Sequence, residues 1–593
     1  MSVDARPGAP SSTAFPSEWE IDRATTWRDK SRTTARPKIP FLAIVLLSSA
    51  VAVGLAASIE PLVGMLALAL VPIGAVVSWR PGVVTVGVLG LLYINLPAVL
   101  QAHGGGPVAA ALVPIALLIP LVHRLVVRRD TLRLTYIFPF VMLYGLAMLT
   151  SALAADDLTA ALGEVSGFAF EGLALFVLVT STVTTTRMLR RVLWAIVLAG
   201  AFLGLLSGIQ QVTGTYDNDY LGFAKVSNSV IETSADAGGV AFTNTHGNVG
   251  LPRLAGPVGE KNRYAQILVV LVPLALALMK DAGRRQRWLL VACIGLHVTG
   301  MALTYSRGVV VGIVAAFLLA VFMRMISVKA LGVVVLIGAV ALAASPTYLD
   351  RVVSLAKVVT GGQAQGTESA DNSIRGRATE NLAAALAFKE NFVTGVGPGA
   401  FPAKYVYYAQ RVGGRPRLED REAHNLYLGI ASELGFPGIA AFLAILAVTL
   451  AGLRRTRRLG LDVPPDATDR ASNEARRRGV LASGLIISLA TYMVTGIFLH
   501  LSYQRYFWLL VALCAVAALP PDRWRRAIAA SERKRLASAP KATVVELPQD
   551  DAAPAGIATG GAPARAPRGS LARRDKALEP REQAPGLRPR SPA

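Results

Sequence analysis

Cysteine is nearly missing from this chain. Only Cys293 and Cys514 occur among 593 residues, and both sit inside apolar runs. No disulfide framework is implied, and a cysteine-ligated metal site is excluded. Charge is scarce too: acidic and basic side chains make up 17% of the residues, against about 25% in an average soluble protein. The chain has no HExxH, no GxxxxGK[ST], no GxSxG and no EF-hand loop, so neither an ATPase engine nor an obvious metal site is encoded. Strand-like alternation is absent, which argues against a membrane β-barrel with its alternating segments of about ten residues. The first residues (MSVDARPGAPSSTAFPSEWE) lack the shape of a signal peptide. The first apolar run starts only near Ile39 and is expected to stay as a first span.

What is abundant is apolar length. Hydrophobic residues reach 53%, with a mean hydropathy of +0.48, and they come in long blocks. At about 20 residues per span, the chain reads as an all-α integral membrane protein with about 14 transmembrane helices. These fall at roughly 39–58, 62–79, 82–101, 107–123, 135–154, 165–184, 192–212, 264–280, 288–304, 308–324, 330–346, 425–453, 479–499 and 505–520. The net charge of +22 would suggest nucleic acid on a soluble protein. Here the positive-inside rule accounts for it. With the N-terminus inside, about 44 of the 60 Lys and Arg residues fall on the cytosolic side, and the opposite orientation inverts that ratio. The expected organisation is a cytosolic N-terminal segment (1–38), a polytopic domain (39–520) and a disordered basic cytosolic tail (521–593).

Two outer connections are much longer than the rest, at about 214–262 and 346–424, and long loops in compact domains are usually functional or disordered. In the second, Ala378, Leu382, Ala385 and Leu386 recur at helical spacing, which predicts a short amphipathic helix within Arg375–Phe392.

Positive charge outside is selected against, so the outer arginines are the informative ones: Arg253, Arg263, Arg307, Arg351, Arg375, Arg377, Arg411, Arg415, Arg417, Arg421 and Arg505. Arg307, in TYSRG, has almost no loop to swing on. Arg253 and Arg263 lie where the first long loop enters the next span. A guanidinium offers five donors in a fixed fork that suits phosphate oxygens. The bland alternative is snorkelling to headgroups. Of the six histidines, His424 alone combines an outer-boundary position, a preceding charged run and a following asparagine, Asn425. An imidazole can take a proton from a hydroxyl. Glu433 and Glu171 are acids at membrane depth and must face protein or water. The DND at Asp217–Asp219 formally matches a DxD motif but reads as a polar loop.

Four stretches, RLAGPVGEKNRYAQIL, TYSRG, RGRATENLAAALAFKENFVTGVGPGAF and AHNLYLGIASELGFPGIAAF, resemble in that order the O-antigen ligase and polymerase family of polytopic bacterial membrane proteins. The HNxYL…ExGxxG element is the most specific part, and the resemblance covers about residues 245–450. It implies a GT-C-like, all-helical glycosyltransferase of the bacterial cytoplasmic membrane. Such a protein needs no cofactor or metal and moves a glycan from a polyprenyl-diphosphate carrier to an acceptor hydroxyl on a glycan, lipid or protein, as a ligase or a polymerase. His424 would then be the base and the transfer inverting. Arg253, Arg307, Arg375 and Arg377 match the family's arginines and Asn262 its asparagine. Arg263, Asn425 and Glu433 join them as substrate-binding candidates. Three departures stand out: a longer first outer loop, no tryptophan in the loop helix, and about 14 expected spans where the family usually has about a dozen. A membrane transporter or channel is the rival reading, with Glu171 and Glu433 as ion sites. A third reading is a structural scaffold that works through the basic tail.

Overall fold

The computed structural model describes residues 81–105, 113–226, 230–232, 241–243, 252–343, 368–413, 421–464, 466–467, 469–499 and 504–518. The expected N-terminal segment, the first two expected spans and the C-terminal tail lie outside the described residues.

Helices carry the fold. In chain order they are α1 (Pro81–Tyr93), α2 (Leu96–Leu100), α3 (Leu118–Val122), α4 (Phe138–Leu153), α5 (Leu158–Thr182), α6 (Thr186–Thr213), α7 (Lys261–Met279), α8 (Arg284–Ala302), α9 (Arg307–Phe322) and α10 (Val328–Ala343). After the second outer connection begins come α11 (Glu368–Glu390), α12 (Phe401–Arg411), α13 (Leu426–Leu461), α14 (Arg470–Thr495) and α15 (Gln504–Ala517). Among the described residues, five helices are long and apolar enough to cross a membrane: α5, α6, α7, α13 and the stretch that begins with α14. A sixth is counted if α1 and α2, bent by 63°, form one span. Shorter apolar helices lie among them. The expected 14 or so spans cannot be counted on the described residues, since the first two lie outside them; one expected span is broken in a way that hydropathy does not register. That apolar run, at 82–101, turns at Asn95, whose φ is 62°.

The all-α expectation also misses two small antiparallel pairs in the first outer connection. β1 (Lys225–Val226) pairs with β4 (Leu254–Gly256), and β2 (Val230–Glu232) with β3 (Ala241–Thr243). At two or three residues each, they are too short to produce an alternation signal.

Lipid is as apolar as leucine, so helices in a bilayer associate through close packing rather than through hydrophobic burial. The seams show this. A Cβ on Gly204 of α6 would lie 2.1 Å from the Leu296 carbonyl oxygen of α8, so only glycine lets these helices meet. Gly460 and Gly479 do the same for α13 and α14, where a Cβ on Gly460 would fall 2.7 Å from the Gly479 Cα. Between the seams runs an aromatic cluster. Tyr144, Phe168 and Trp508 meet edge to face or tilted at 5.2–5.7 Å between ring centroids, and Phe507 links Trp508 to Phe442 and Tyr492.

The second outer connection is built on the break in α13. Gly435 has φ 65° and ψ −165°, a conformation open only to glycine. Pro437 follows two residues on and has no N–H to give the Glu433 carbonyl one turn back. The freed backbone groups are satisfied from outside the helix. Phe436 N–H donates to the Phe392 carbonyl at 2.7 Å. The Ser432 carbonyl accepts from Val396 N–H at 2.9 Å, and the Glu433 carbonyl accepts from Gly397 N–H at 3.1 Å and from the Ser151 hydroxyl at 2.7 Å. The GVGPG turn thus stitches the loop to the broken helix and completes the hydrogen bonding that a buried backbone requires.

α11 and α12 then share a small core of Ala383, Ala384, Ala387, Phe401, Tyr405 and Tyr408. The helix is where the sequence predicted it, but the buried face is not. Leu382 is 56% exposed, and α11 packs through its alanines together with Thr379 and Glu380. Small residues let the helix lie close to its neighbours, and that requirement overrides the larger apolar side chains.

A Cβ at Gly395 would lie 2.2 Å from the Glu433 carbonyl oxygen, in a residue that already has φ 72°. Gly395→Ala is expected to lower stability by about 1–3 kcal/mol or more and to speed proteolysis within 368–413. Gly413 has φ 71° with open space around it, so Gly413→Ala should cost only the backbone strain of about 1–2 kcal/mol. Thermal unfolding in detergent compares the two. Equal losses would show that the crossing is not what holds the loop.

Candidate functional site

Three helix N-termini bring the candidate residues to one end of the bundle. Glu260 caps α7. Its carboxylate accepts the Asn262 N–H at 3.1 Å and the Arg263 N–H at 2.8 Å, and also the Asn262 side-chain amide at 2.9 Å. The Asn262 side-chain Oδ1 accepts the Ser306 hydroxyl at 2.8 Å. Ser306 precedes α9, so Asn262 ties the start of one helix to the start of another. Asn262 and Ser306, with Gln266, Gly308, Arg377 and Thr495, line a narrow cleft of about 10 Å³. Asn262 and Arg377, predicted separately, thus meet there.

Arg253 takes a different role. Its Nε donates to the Thr304 carbonyl at 3.0 Å and its Nη2 to the Tyr305 carbonyl at 2.9 Å. It thereby braces the TYSRG turn that leads into Arg307, the first residue of α9. The side chains of Arg307 and Arg375 lie outside the described residues.

His424 stands immediately before α13. Asn425, next in the chain, is the N-cap: its Oδ1 accepts from Tyr427 N–H at 3.0 Å and from Leu428 N–H at 3.2 Å. The predicted binding residue Asn425 therefore spends its carbonyl oxygen on the helix. The His424 Nδ1 lies 3.2 Å from the Glu422 carbonyl and 2.8 Å from Glu380 Oε2. Glu380 comes from α11 and is 3% exposed. Its oxygen sits beside the ring N–H rather than in line with it and has no hydrogen bond of its own. Both neighbours of Nδ1 are acceptors, so Nδ1 carries the proton in the neutral ring and Nε2 carries the lone pair. Sequence reasoning missed Glu380. The one available signal was a carboxylate within the loop motif, RGRATEN.

Arg263, 4% exposed, lies between two acids. Its Nη2 is 3.6 Å from Glu422 and its Nε 3.9 Å from Glu260. It joins α7 to the segment that carries His424. Burial pushes the Glu422 carboxyl above its usual range, against the pull of Arg263 and His424, and Glu260 and Glu164 add to the rise. The side chain keeps 44% of its surface, so water screens part of this.

Glu433 points elsewhere. Its carboxylate accepts the backbone N–H groups of Gly399 and Phe401 at the start of α12. It anchors the loop through a helix N-terminus, a favourable place for an anion. Glu171 is also occupied, by a short ion pair with Arg505, whose Nη1 donates to Asn95 at 2.9 Å.

A carboxyl raised on folding favours the folded state below the unfolded-state pKa, about 4.3 for glutamate, and that contribution fades as pH rises through the folded value. Glu422→Gln removes the ionised form. Relative to this variant, wild type should gain thermal stability as the pH falls from 8 towards about 4. Melting curves across that range are the check; a wild type that loses ground to the variant on acidification would contradict the assignment.

Comparison with known proteins gives one family. Residues 289–443 match the family model described as O-antigen ligase. That segment holds Arg307, Arg375, Arg377, Glu380, His424, Asn425 and Glu433, while Arg253, Asn262 and Arg263 precede it. No curated protein matches the chain.

Proposed function

We propose, from the match of residues 289–443 to the O-antigen ligase family model, that the chain transfers a glycan from a polyprenyl-diphosphate carrier to an acceptor hydroxyl at the outer face of the cytoplasmic membrane. The family supports lipid-linked glycan transfer in general. The observation that carries the finer reading is the fixed imidazole: with Nδ1 held between Glu380 and the Glu422 carbonyl, Nε2 is the basic atom.

In this reading the acceptor hydroxyl approaches Nε2 and gives up its proton there. Its oxygen forms a bond to the anomeric carbon. The bond from that carbon to the diphosphate oxygen breaks, and its electron pair leaves on the diphosphate. Attack opposite the leaving group inverts the configuration. Arg307 and Arg377, with Arg375 beside them in the chain, would meet the developing charge as fixed donors. Asn262 shares the cleft with Arg377 and would orient the carrier's head. Arg263, in this reading, holds Glu422 and through it the His424 segment, and Arg253 sets the turn before Arg307. The loop helix α11 contributes both the donor arginine and the carboxylate behind the base. Ligase and polymerase share this chemistry and differ in the acceptor.

A transport reading would draw on the 63° break between α1 and α2 and on Glu171 nearby. That acid is already paired with Arg505, which weakens it as an ion site.

In cells lacking the native protein, His424→Ala is expected to cut long-chain product by a factor on the order of 10²–10⁴, with lipid-linked precursor accumulating. Arg307→Ala should lose product together with donor affinity. Glu380→Gln should lower turnover about tenfold at unchanged donor KM. Product retained by all three at matched membrane levels would refute the transfer reading.

A further inference from the structure

α13 carries a row of exposed residues that starts at its break. Phe436, Leu443, Ala447 and Ala451 are exposed, and steps of seven, four and four positions keep them on one face of the helix. The row ends at Arg454 and Arg455, which are exposed too. α13 is long and apolar enough to cross a membrane. An apolar exposed face that ends in arginines is the one such a span turns to lipid, with the arginines at one boundary. From Arg454 back to Phe436 the helix rises roughly 27 Å at about 1.5 Å per residue, against a hydrocarbon core of about 30 Å. Phe436 therefore stands at the opposite boundary, on the side of His424, which precedes the helix.

The second outer connection meets the lipid-facing row at this point. Phe392 stacks on Phe436, with ring centroids 5.3 Å apart and planes 17° from parallel, and Phe388 of α11 lies 5.2 Å from Phe392. The Phe436 N–H donates to the Phe392 carbonyl at 2.7 Å, so the backbone fixes the same pair. Phe392 is exposed, and Val393 beside it is 69% exposed. Lys389 and Glu390, in the turn before, are exposed as well. A charged turn followed by an apolar end, held at the hydrocarbon boundary, suits a segment that lies in the interface. A glycan on these rings would need hydrogen-bonding groups beside them. The neighbouring donors are already committed: the Asn391 amide to the Ala387 carbonyl and the Tyr408 hydroxyl, and the Thr394 hydroxyl to the Gly395 carbonyl.

We propose that Phe392 and Val393, at the end of α11, form an interfacial anchor immersed with Phe436 in the leaflet on the His424 side. Its partner is the acyl boundary of the phospholipids, with no particular headgroup. The bilayer then sets the depth of α11, the helix that carries Arg377 and Glu380. The anchor does not depend on the glycosyl-transfer reading, and its test does not read activity.

The full chain is reconstituted in vesicles of phosphatidylethanolamine and phosphatidylglycerol, with a nitroxide on one introduced cysteine. Cys293 and Cys514 are buried and stay in place. Val393→Cys reports the anchor, Ala447→Cys the lipid-facing row, and Asp217→Cys, in an exposed polar turn, the water. Collision rates with oxygen and with a soluble nickel chelate give the depth of each label. The label at Val393 should read about 5–10 Å below the headgroup surface, and adding Phe392→Asp should return it to the value at Asp217. Should Val393→Cys fail to fold, Thr394→Cys, exposed beside it, takes its place. Four results would overturn the proposal. The first is an aqueous reading at Val393, which would leave the rings open to a glycan. The second is a label shielded from both oxygen and nickel, which would mean that a second copy or the chain's own segment 344–367 covers the patch. The third is a depth unchanged by Phe392→Asp. The fourth is an aqueous reading at Ala447, which would remove the lipid-facing row itself.

Discussion

Where residues 392–397 cross the break in α13, the two backbones are too close for a Cβ on either side. Much of the outer architecture depends on that contact. A helix interrupted by Gly435 and Pro437 would leave carbonyls bare at membrane depth, where each unmet group is costly. The loop supplies the missing donors, and in doing so becomes part of the membrane domain instead of an appendage to it. Glu433 adds a second fastening at the head of α12. Because α11 and α12 are held this firmly, a carboxylate from the middle of a long connection can stand within contact distance of an imidazole on a different element.

The same economy governs the arginines of the loops and helix ends. Each arginine in the membrane boundary must spend its donors on something. Arg253 spends two on the backbone of a turn, Arg505 is paired with Glu171, and Arg411 with Glu390. Arg263 is shared between two acids. Such arginines brace the scaffold, whereas Arg377 lines the cleft, a division that charge counting along the chain cannot make.

Much of the helical fold was legible because long apolar blocks have few alternatives, although α13 runs on to Leu461 past its expected end at 453, and α14 begins at Arg470, before its expected start at 479. The loop helix was legible from its period, but its buried face was not, since three alanines carry less signal than two leucines yet permit the closer approach. The break in α13 was visible as GFPG without its meaning. The residues that answer it, GVGPG, lie some forty positions away, and only the fold pairs them. Among the candidate site residues, His424 and Arg377 stood out by residue type and position, and Asn262 through the family resemblance alone. Glu380 did not, because a single acid in a polar helix looks like any solvated charge until the helix is docked. The short β pairs were beyond reach for want of length.

Ser306 has one further consequence. Glu260 and Asn425 each cap the helix they precede, but the Ser306 hydroxyl is turned to Asn262 and makes no cap for α9. Ser306 thus offers no side-chain acceptor to the first amides of α9, and Gly308 and Val309 line the cleft. A helix in that state presents the positive end of its macrodipole to whatever lies in front of it. An anion in the cleft would meet a partial charge built from backbone alone, one that no protonation event can remove and that costs the membrane no extra ionised side chain.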